Sequence, residues 1–410
     1  MDLSYPPAAD DFREEIRGFL REHLPQGWTG WGALPPAERE TFVRDWRALL
    51  VEHRFLGLTW PAEYGGGGRG LLEQSILIEE FVRIGVPFLP HPNDTFSLNL
   101  LGPTLLHAGT EEQRSRFLRP TLTGEMRWAQ GFSEPDAGSD LFNLRTRGVV
   151  DGDELVLDGQ KVWQTAGTTA NWMFTLVRTD PAASRAKGLS FVLVPLDQPG
   201  VEVRGIRTAA GEVEFAEVFL TGARAALGDV VGGLGNGAAV ALALLGYERG
   251  AGGVAAALGM AIELERLVEL ARANGAAADA RLRSRVGACW TRVHVLRCVA
   301  LRALSAGLEG KPPGPESSLV KALTAEHHQV ATELAMDILG PAALTPNGPQ
   351  PAEWLRPQPR GFDPLSSTAW VSDFLNARAG TIYGGSSEIQ RTTIAERILG
   401  LPAEVRGTAR

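Results

Sequence analysis

Residues 128–140, Trp-Ala-Gln-Gly-Phe-Ser-Glu-Pro-Asp-Ala-Gly-Ser-Asp, crowd Ser133, Glu134, Asp136, Ser139 and Asp140 around Pro135 and Gly138. Such a density of hydroxyls and carboxylates suits a ligand-binding loop, and a solvated turn has the same composition. Downstream, Lys161-Val-Trp-Gln-Thr165 reads as a strand, which puts Trp163 and Thr165 on one face. That face offers a flat ring to stack on and a hydroxyl to donate. Near the C-terminus, residues 380–391 read Gly-Thr-Ile-Tyr-Gly-Gly-Ser-Ser-Glu-Ile-Gln-Arg. Thr381, Ile382 and Tyr383 favour a strand, Gly384 and Gly385 allow a turn, and Ser387 with Gln390 is spaced as a capping box. A helix is therefore predicted from Ser387. Its first amides have no intrahelical acceptor and would suit a phosphate, a carboxylate or a thioester oxygen; a plain helix cap is the competing reading.

The elements that must carry these groups change character along the chain. Up to about residue 125 the pattern is helical: Phe12, Ile16, Phe19 and Leu20 share one face, and Phe42, Trp46, Leu49 and Leu50 repeat the spacing. The glycine-rich 61–70 lacks a preceding strand and a following Lys-Ser or Lys-Thr, so it is predicted to be a flexible loop rather than a phosphate loop. Between about Arg127 and Leu234, short alternating runs are separated by Asp-Gly-Asp and Asp-Gly turn signals. Segments 144–150, 155–158, 161–165, 172–178, 189–195 and 212–220 are predicted strands of a compact sandwich or barrel. Helices then return over 237–272, 282–308, 316–339, 366–379 and 387–399, as an antiparallel bundle interrupted by a proline-rich loop over 341–364. The fold class is α+β: an N-terminal helical domain over 1–126, a central antiparallel β domain over 127–234 and a C-terminal helical bundle over 235–410.

Composition narrows the function. A chain of 410 residues with 44% hydrophobic and 21% charged residues is an ordinary globular protein with a large core. The net charge of −8 and the lack of a long basic run argue against a nucleic-acid partner. The apolar run from Gly237 to Ile262 is broken by Glu248 and Arg249, so no membrane span is predicted. The N-terminus has an acid and two prolines where a signal peptide would be basic and then apolar, and Cys289 and Cys298 read as buried thiols, so a cytoplasmic location is expected. Glu248 itself stands out, because a charge within an apolar helix is costly unless it is paired or used; an ion pair with an arginine is its bland alternative.

Three motifs in order, Phe-Ser-Glu-Pro-Asp-Ala-Gly-Ser-Asp, Asp-Gly-Gln-Lys-Val-Trp-Gln-Thr and Ile-Tyr-Gly-Gly-Ser-Ser-Glu-Ile-Gln-Arg, resemble the signatures of the acyl-CoA dehydrogenases. The helix, β, helix order agrees over essentially the whole length. The resemblance implies an FAD site in which Ser133 contacts the pyrimidine edge of the flavin, Trp163 packs on the ring and Thr165 bonds it, with Gln130, Phe132 and Gly138 alongside. Ser139 would lie between FAD and the pantetheine, and Ser386, Ser387 and Glu388 would receive the adenosine end. The implied reaction takes the α-proton of an acyl-CoA thioester to a glutamate and the β-hydride to flavin N5, with electrons passing to an electron-transfer flavoprotein.

Many family members place that glutamate directly after the tyrosine, where this chain has Gly384. A minority hold it at a Glu-Arg dipeptide on a helix, and Gly-Tyr-Glu-Arg at 246–249 is similar to that arrangement. The resemblance thus assigns the base to Glu248, thioester polarisation to the Gly384 backbone N–H, and substrate contacts to Tyr247, Arg249, Gly385 and Ser139. Loss of the side chain at 384 opens room for a bulky or branched acyl group. The chain departs from the family at 271–275, Ala-Arg-Ala-Asn-Gly, and at 337–341, Asp-Ile-Leu-Gly-Pro, where the FAD pyrophosphate and adenine segments normally lie. Those departures resemble heteromeric bacterial members, so both a homotetramer and a heterotetramer with a sister chain stand. The alternatives are a non-catalytic or half-site subunit and a flavin monooxygenase on the same fold.

Overall fold

The structure, a computed structural model, describes residues 5–183, 185–247, 252–311, 314–349 and 360–403. The first helices are α1 (Ala8–His23), α2 (Pro36–Glu52) and α3 (Leu71–Ile84); a π-helical turn, Thr95–Leu101, leads into α4 (Gly102–Ala108) and α5 (Glu111–Thr123). Phe12, Ile16, Phe19 and Leu20 of α1 are all buried with Trp46 and Leu50 of α2, as their spacing predicts. Residues 61–70 are not the loose loop expected. A Cβ at Gly66 would lie 2.3 Å from the Trp60 carbonyl oxygen, and one at Gly67 2.8 Å from the carbonyl oxygens of Arg54 and Leu58, so the glycines permit close packing of backbone on backbone.

The strands are β1 (Trp128–Gly131), β2 (Arg147–Asp151), β3 (Glu154–Thr165), β4 (Trp172–Arg178), β5 (Leu189–Pro195), β6 (Val201–Ile206), β7 (Phe215–Ala226) and β8 (Val230–Val231). They form one sheet in the order β6-β7-β3-β2-β4-β5-β8, with β1 paired to β4. The β1–β4 and β2–β4 pairings are parallel, so the sheet is mixed rather than wholly antiparallel. The predicted segments 155–158 and 161–165 are one strand: Asp158 and Gly159 pair with Thr221 and Leu220 of β7 instead of turning, Gly159 at φ +155°, and the register shift between Leu157 and Asp158 leaves Gly222 of β7 unpaired. Phe174, Leu176, Phe191 and Leu193 face the N-terminal helices, while Met173, Val177, Val192 and Val194 face the opposite core with β3 and β7.

After the sheet come α6 (Gly237–Tyr247), α7 (Gly252–Ala273), α8 (Ala280–Leu308), α9 (Glu316–Leu339), α10 (Ser367–Ala377) and α11 (Ser387–Thr393). Helices α7 to α10 close a separate core around Leu264, Leu267, Leu296, Leu334, Ala335 and Trp370. Helix α6 belongs instead to the first core, through Val240, Ala241 and Leu244 at i, i+1 and i+4. A Cβ at Gly237 would stand 2.5 Å from the Ser190 carbonyl carbon, which lets α6 start directly on β5. Cys289 is buried as expected, whereas Cys298 is only half-buried, with its sulfur 3.8 Å from His294 Nε2. Among the described residues no helix is long and apolar enough to cross a membrane, and no cluster could hold a metal.

Candidate active site

The loop after β1 sorts its polar residues into two sets. Asp136 pairs with Arg145 and Asp140 with Arg185 at the surface, while Glu134 turns inward. There its carboxylate accepts from the Arg145 N–H at 2.6 Å, the Thr146 N–H at 2.9 Å and the Lys161 ammonium at 2.8 Å. Lys161 is fully buried and also donates to the Leu176 carbonyl of β4 at 2.7 Å. Burial would raise the Glu134 carboxyl, but Lys161 and the backbone donors hold it below the usual carboxylate range. Burial acts on Lys161 in the opposite direction for the same reason, since it disfavours the charged form, and pushes it down to about 8 with Glu134 resisting.

This peg brings two of the predicted motifs together. The Val162 N–H donates to the Ser133 carbonyl at 3.0 Å, so Ser133 sits beside the next residue of β3, Trp163. Trp163 occupies the register shift between Val162 and Gln164, has φ +67°, and leaves its indole 58% exposed, edge-on to Phe215. A non-glycine residue at positive φ persists only where its surroundings impose it, and a large ring presented outward from such a position is suited to contact another molecule. Thr165 and Trp163 both lie off the buried side occupied by Gln164. Among the described residues the side chains of Gln130, Ser133, Ser139 and Thr165 make no hydrogen bond, which leaves their polar groups available. Phe132 serves differently: it is buried edge-on against Phe174 and Phe191, a core residue beneath the loop. Gly138 is exposed with open space where a Cβ would stand.

The end of β3 is locked from the N-terminal helices. Asn93, fully buried, donates to the carbonyls of Trp128 at 3.1 Å and Ala166 at 3.0 Å and accepts from Thr169 Oγ1 at 2.8 Å. Ala166 sits at φ +52°, and its N–H donates to the Glu214 carbonyl at 2.8 Å. The Glu214 carboxylate in turn accepts from Asn376 of α10 at 2.9 Å, and Glu212 accepts from Ser372 of α10 at 3.1 Å. The Trp163 strand is thus tied to the helix that leads into the C-terminal motif.

That motif is not the strand and capping box predicted. Ala379–Thr381 is a 3-10 turn held on α9, where Gln329 donates to Thr381 Oγ1 at 3.1 Å and Lys321 donates to the Gly380 carbonyl. No sheet edge is available there, so the β preference of Thr381, Ile382 and Tyr383 is overridden. Ser386, not Ser387, caps α11, accepting from the Ile389 N–H. Gln390 points back to donate to the carbonyls of Gly384 at 3.0 Å and Gly385 at 3.2 Å. Gly384 and Gly385 take φ +63° and +82°. The Gly384 N–H has no acceptor among the described residues, and Ser387 Oγ is buried without a partner. Glu388 lies in the first turn of α11, and the regular helix is short, passing into a π turn at Ile394–Ile398. Of the other predicted residues, Tyr247 ends α6 with its side chain outside the described residues, and Glu248 and Arg249 lie wholly outside them.

The two segments that depart from the sequence resemblance converge: Asn274, at the end of α7, donates to the Ile338 carbonyl at 2.6 Å, and Asp337 pairs with Arg285.

The exposed Trp163 ring with hydroxyls beside it offers a face to a flat, polar-edged group, and the glycine turn offers a Gly384 amide with no acceptor among the described residues. Models of one family cover almost all of the chain: the acyl-CoA dehydrogenase N-terminal domain matches residues 6–125, the middle domain 129–222 and the C-terminal domain 235–399. The chain belongs to the acyl-CoA dehydrogenase family, whose members are FAD-binding flavoproteins. It is 40% identical over 403 residues to acyl-CoA dehydrogenase IpdE1 of Mycobacterium tuberculosis, covering 97% of this chain and 99% of that protein. Among solved structures it resembles the Tcur3481-Tcur3483 steroid ACAD, at a TM-score of 0.79 and 31% identity over 98% of this chain and 100% of that one. The ChsE4-ChsE5 complex from Mycobacterium tuberculosis is similar at a TM-score of 0.78 and 26% identity, over 98% of this chain and 100% of its own.

Proposed function

We propose that the protein dehydrogenates an acyl-CoA thioester between its α and β carbons, with Glu248 as base and the Gly384 N–H as donor to the thioester oxygen. The observation that carries this reading is the Gly384 turn: its carbonyl is tied down by Gln390, its N–H has no acceptor among the described residues, and its side chain is absent. A fixed amide aimed at an oxygen that gains negative charge as the α-proton leaves lowers the barrier without reorganising. Because position 384 carries no carboxylate, the base comes from elsewhere, and Glu248 follows directly after α6. A carboxylate in a water-poor slot gains basicity by desolvation, which brings it closer to the acidified α C–H.

FAD, when bound, supplies the acceptor for the β-hydride. The available groups fit it: Trp163 offers a stacking face, Ser133 and Thr165 offer hydroxyls, Gln130 an amide, and Ser386, Ser387 and Glu388 the contacts for its distant end. Ser139, Tyr247, Arg249 and Gly385 are assigned to the thioester. In the proposed division at 1–126, 127–234 and 235–410, the middle unit carries the groups for the flavin ring, and the last carries the base and the contacts for the cofactor's distant end.

Two further parts of the reading rest on the relatives. Two-chain assemblies such as the ChsE4-ChsE5 complex, together with the altered segments at 271–275 and 337–341, support a heterotetramer with a sister chain. The absence of a side chain at Gly384 and the likeness to a steroid ACAD support a bulky, ring-bearing acyl group. An electron-transfer flavoprotein is the proposed acceptor. The test is anaerobic bleaching of the flavin by a panel of acyl-CoA thioesters, with the chain alone and with its co-expressed sister. Bleaching by ring-bearing thioesters supports the reading, and a flavin that no acyl-CoA reduces overturns it.

A further inference from the structure

The buried Glu134–Lys161 pair has no part in the chemistry proposed above, yet Glu134 adjoins Ser133 and Lys161 lies two residues from Trp163, the two groups proposed to face the cofactor. Ser133 precedes the glutamate, and Val162, whose N–H holds the Ser133 carbonyl, lies between the lysine and Trp163. We propose that Glu134 and Lys161 are positioning residues for the flavin: together they set the distance and register between the Ser133 loop and the bulged Trp163 strand. The proposal rests on the flavin reading of that site.

The geometry supports this in three ways. Three donors converge on one carboxylate from the loop's return at Arg145 and Thr146 and from β3, so the loop cannot shift without breaking several bonds at once. The lysine spans to β4 as well, through the Leu176 carbonyl, and β4 carries β1 as its parallel neighbour, so both ends of the loop are referred to one strand. Finally, an apolar pair of similar volume would fill this place with less desolvation, so the charges are better explained by the fixed geometry they impose than by stability. Glu134 is the leading charged partner of Lys161, and Lys161 that of Glu134.

The test uses the full chain, purified with its flavin and with any sister chain it requires. In Glu134→Gln/Lys161→Met both charges are removed and side-chain volume is largely kept. A control, Glu80→Gln, breaks the buried contacts of Glu80 with Arg13 and Arg17 in the N-terminal helices. The double variant should bind FAD about 10-fold or more weakly, with an altered visible circular dichroism of the remaining flavin. The control should lose thermal stability with FAD affinity within about twofold of wild type. A double variant with wild-type affinity and an unchanged flavin spectrum overturns the proposal while leaving the flavin reading intact; a wild-type chain that takes up no FAD overturns both. Should the double variant not fold, Glu134→Gln alone decides: FAD bound several-fold more weakly with an altered flavin circular dichroism supports the proposal, and wild-type affinity with an unchanged spectrum overturns it.

Discussion

The side-chain amide of Asn93 donates to the carbonyl of Ala166 at 3.0 Å, joining the N-terminal helices to the turn that ends the Trp163 strand. The same amide reaches Trp128 of β1, so one buried side chain spans both edges of the candidate flavin site. Asn93→Ala strips the Trp128 carbonyl of this donor and weakens the hold on Ala166. The expected cost is about 2–3 kcal/mol, seen as a lower urea midpoint with an unchanged slope, together with faster loss of FAD on dilution.

Trp163 separates binding from folding. Its indole is more than half exposed and its φ is +67°, so Trp163→Gly gives up little burial and relieves the backbone. Stability should change by no more than about 1 kcal/mol, while FAD affinity falls about 10-fold from lost stacking. Thermal melts of the flavin-free protein and flavin titrations check the two effects independently.

The glycine turn depends on Gln390, which is buried and holds two carbonyls. Gln390→Leu should cost about 1–2 kcal/mol, with FAD retained and flavin reduction slowed because the Gly384 peptide is no longer fixed. Gly385→Ala should act similarly, since its Cβ would stand 2.5 Å from Gln390 Nε2 at a φ of +82°. Melting temperatures and single-turnover reduction rates distinguish these outcomes from simple unfolding.

Much of this site was legible in the sequence, and the gaps have physical causes. Helical spacing found the buried face of α1, and the bounds of α9, β4 and β5 follow from their own patterns and flanking turns. The Asp158-Gly159 dipeptide signals a turn locally, but β7 pairs with both halves and holds it within one strand. Ser386 and Ser387 are equally good caps by type; in the fold Ser386 caps α11 while Ser387 is buried, a difference their types do not show. Lys161 did carry an unread signal: it falls at the same inward parity as Leu155 and Leu157, and a lysine there requires a buried partner. Asn93, within Pro-Asn-Asp, has no such signature, because its partners lie 35 and 73 residues away.

Lys161 also sets a pH signature. Its pKa is about 8 in the folded chain against 10.5 in the unfolded one, so the unfolded chain holds more protons between those values. Stability from this group therefore rises as pH climbs from about 8 to 10.5, by roughly 3 kcal/mol in full. Denaturation of the flavin-free wild type and of Glu134→Gln/Lys161→Met over pH 7–10 should show the wild type gaining relative to the variant. A constant difference would mean that Lys161 does not titrate in this window.

Glu248 is proposed to take the α-proton in place of a carboxylate at position 384. Stopped-flow reduction of the bound flavin by an acyl-CoA that bleaches the wild type, repeated with Glu248→Gln, tests it most directly. FAD should remain bound while reduction slows by at least ~100-fold, as for loss of a positioned general base. Reduction at the wild-type rate would contradict it.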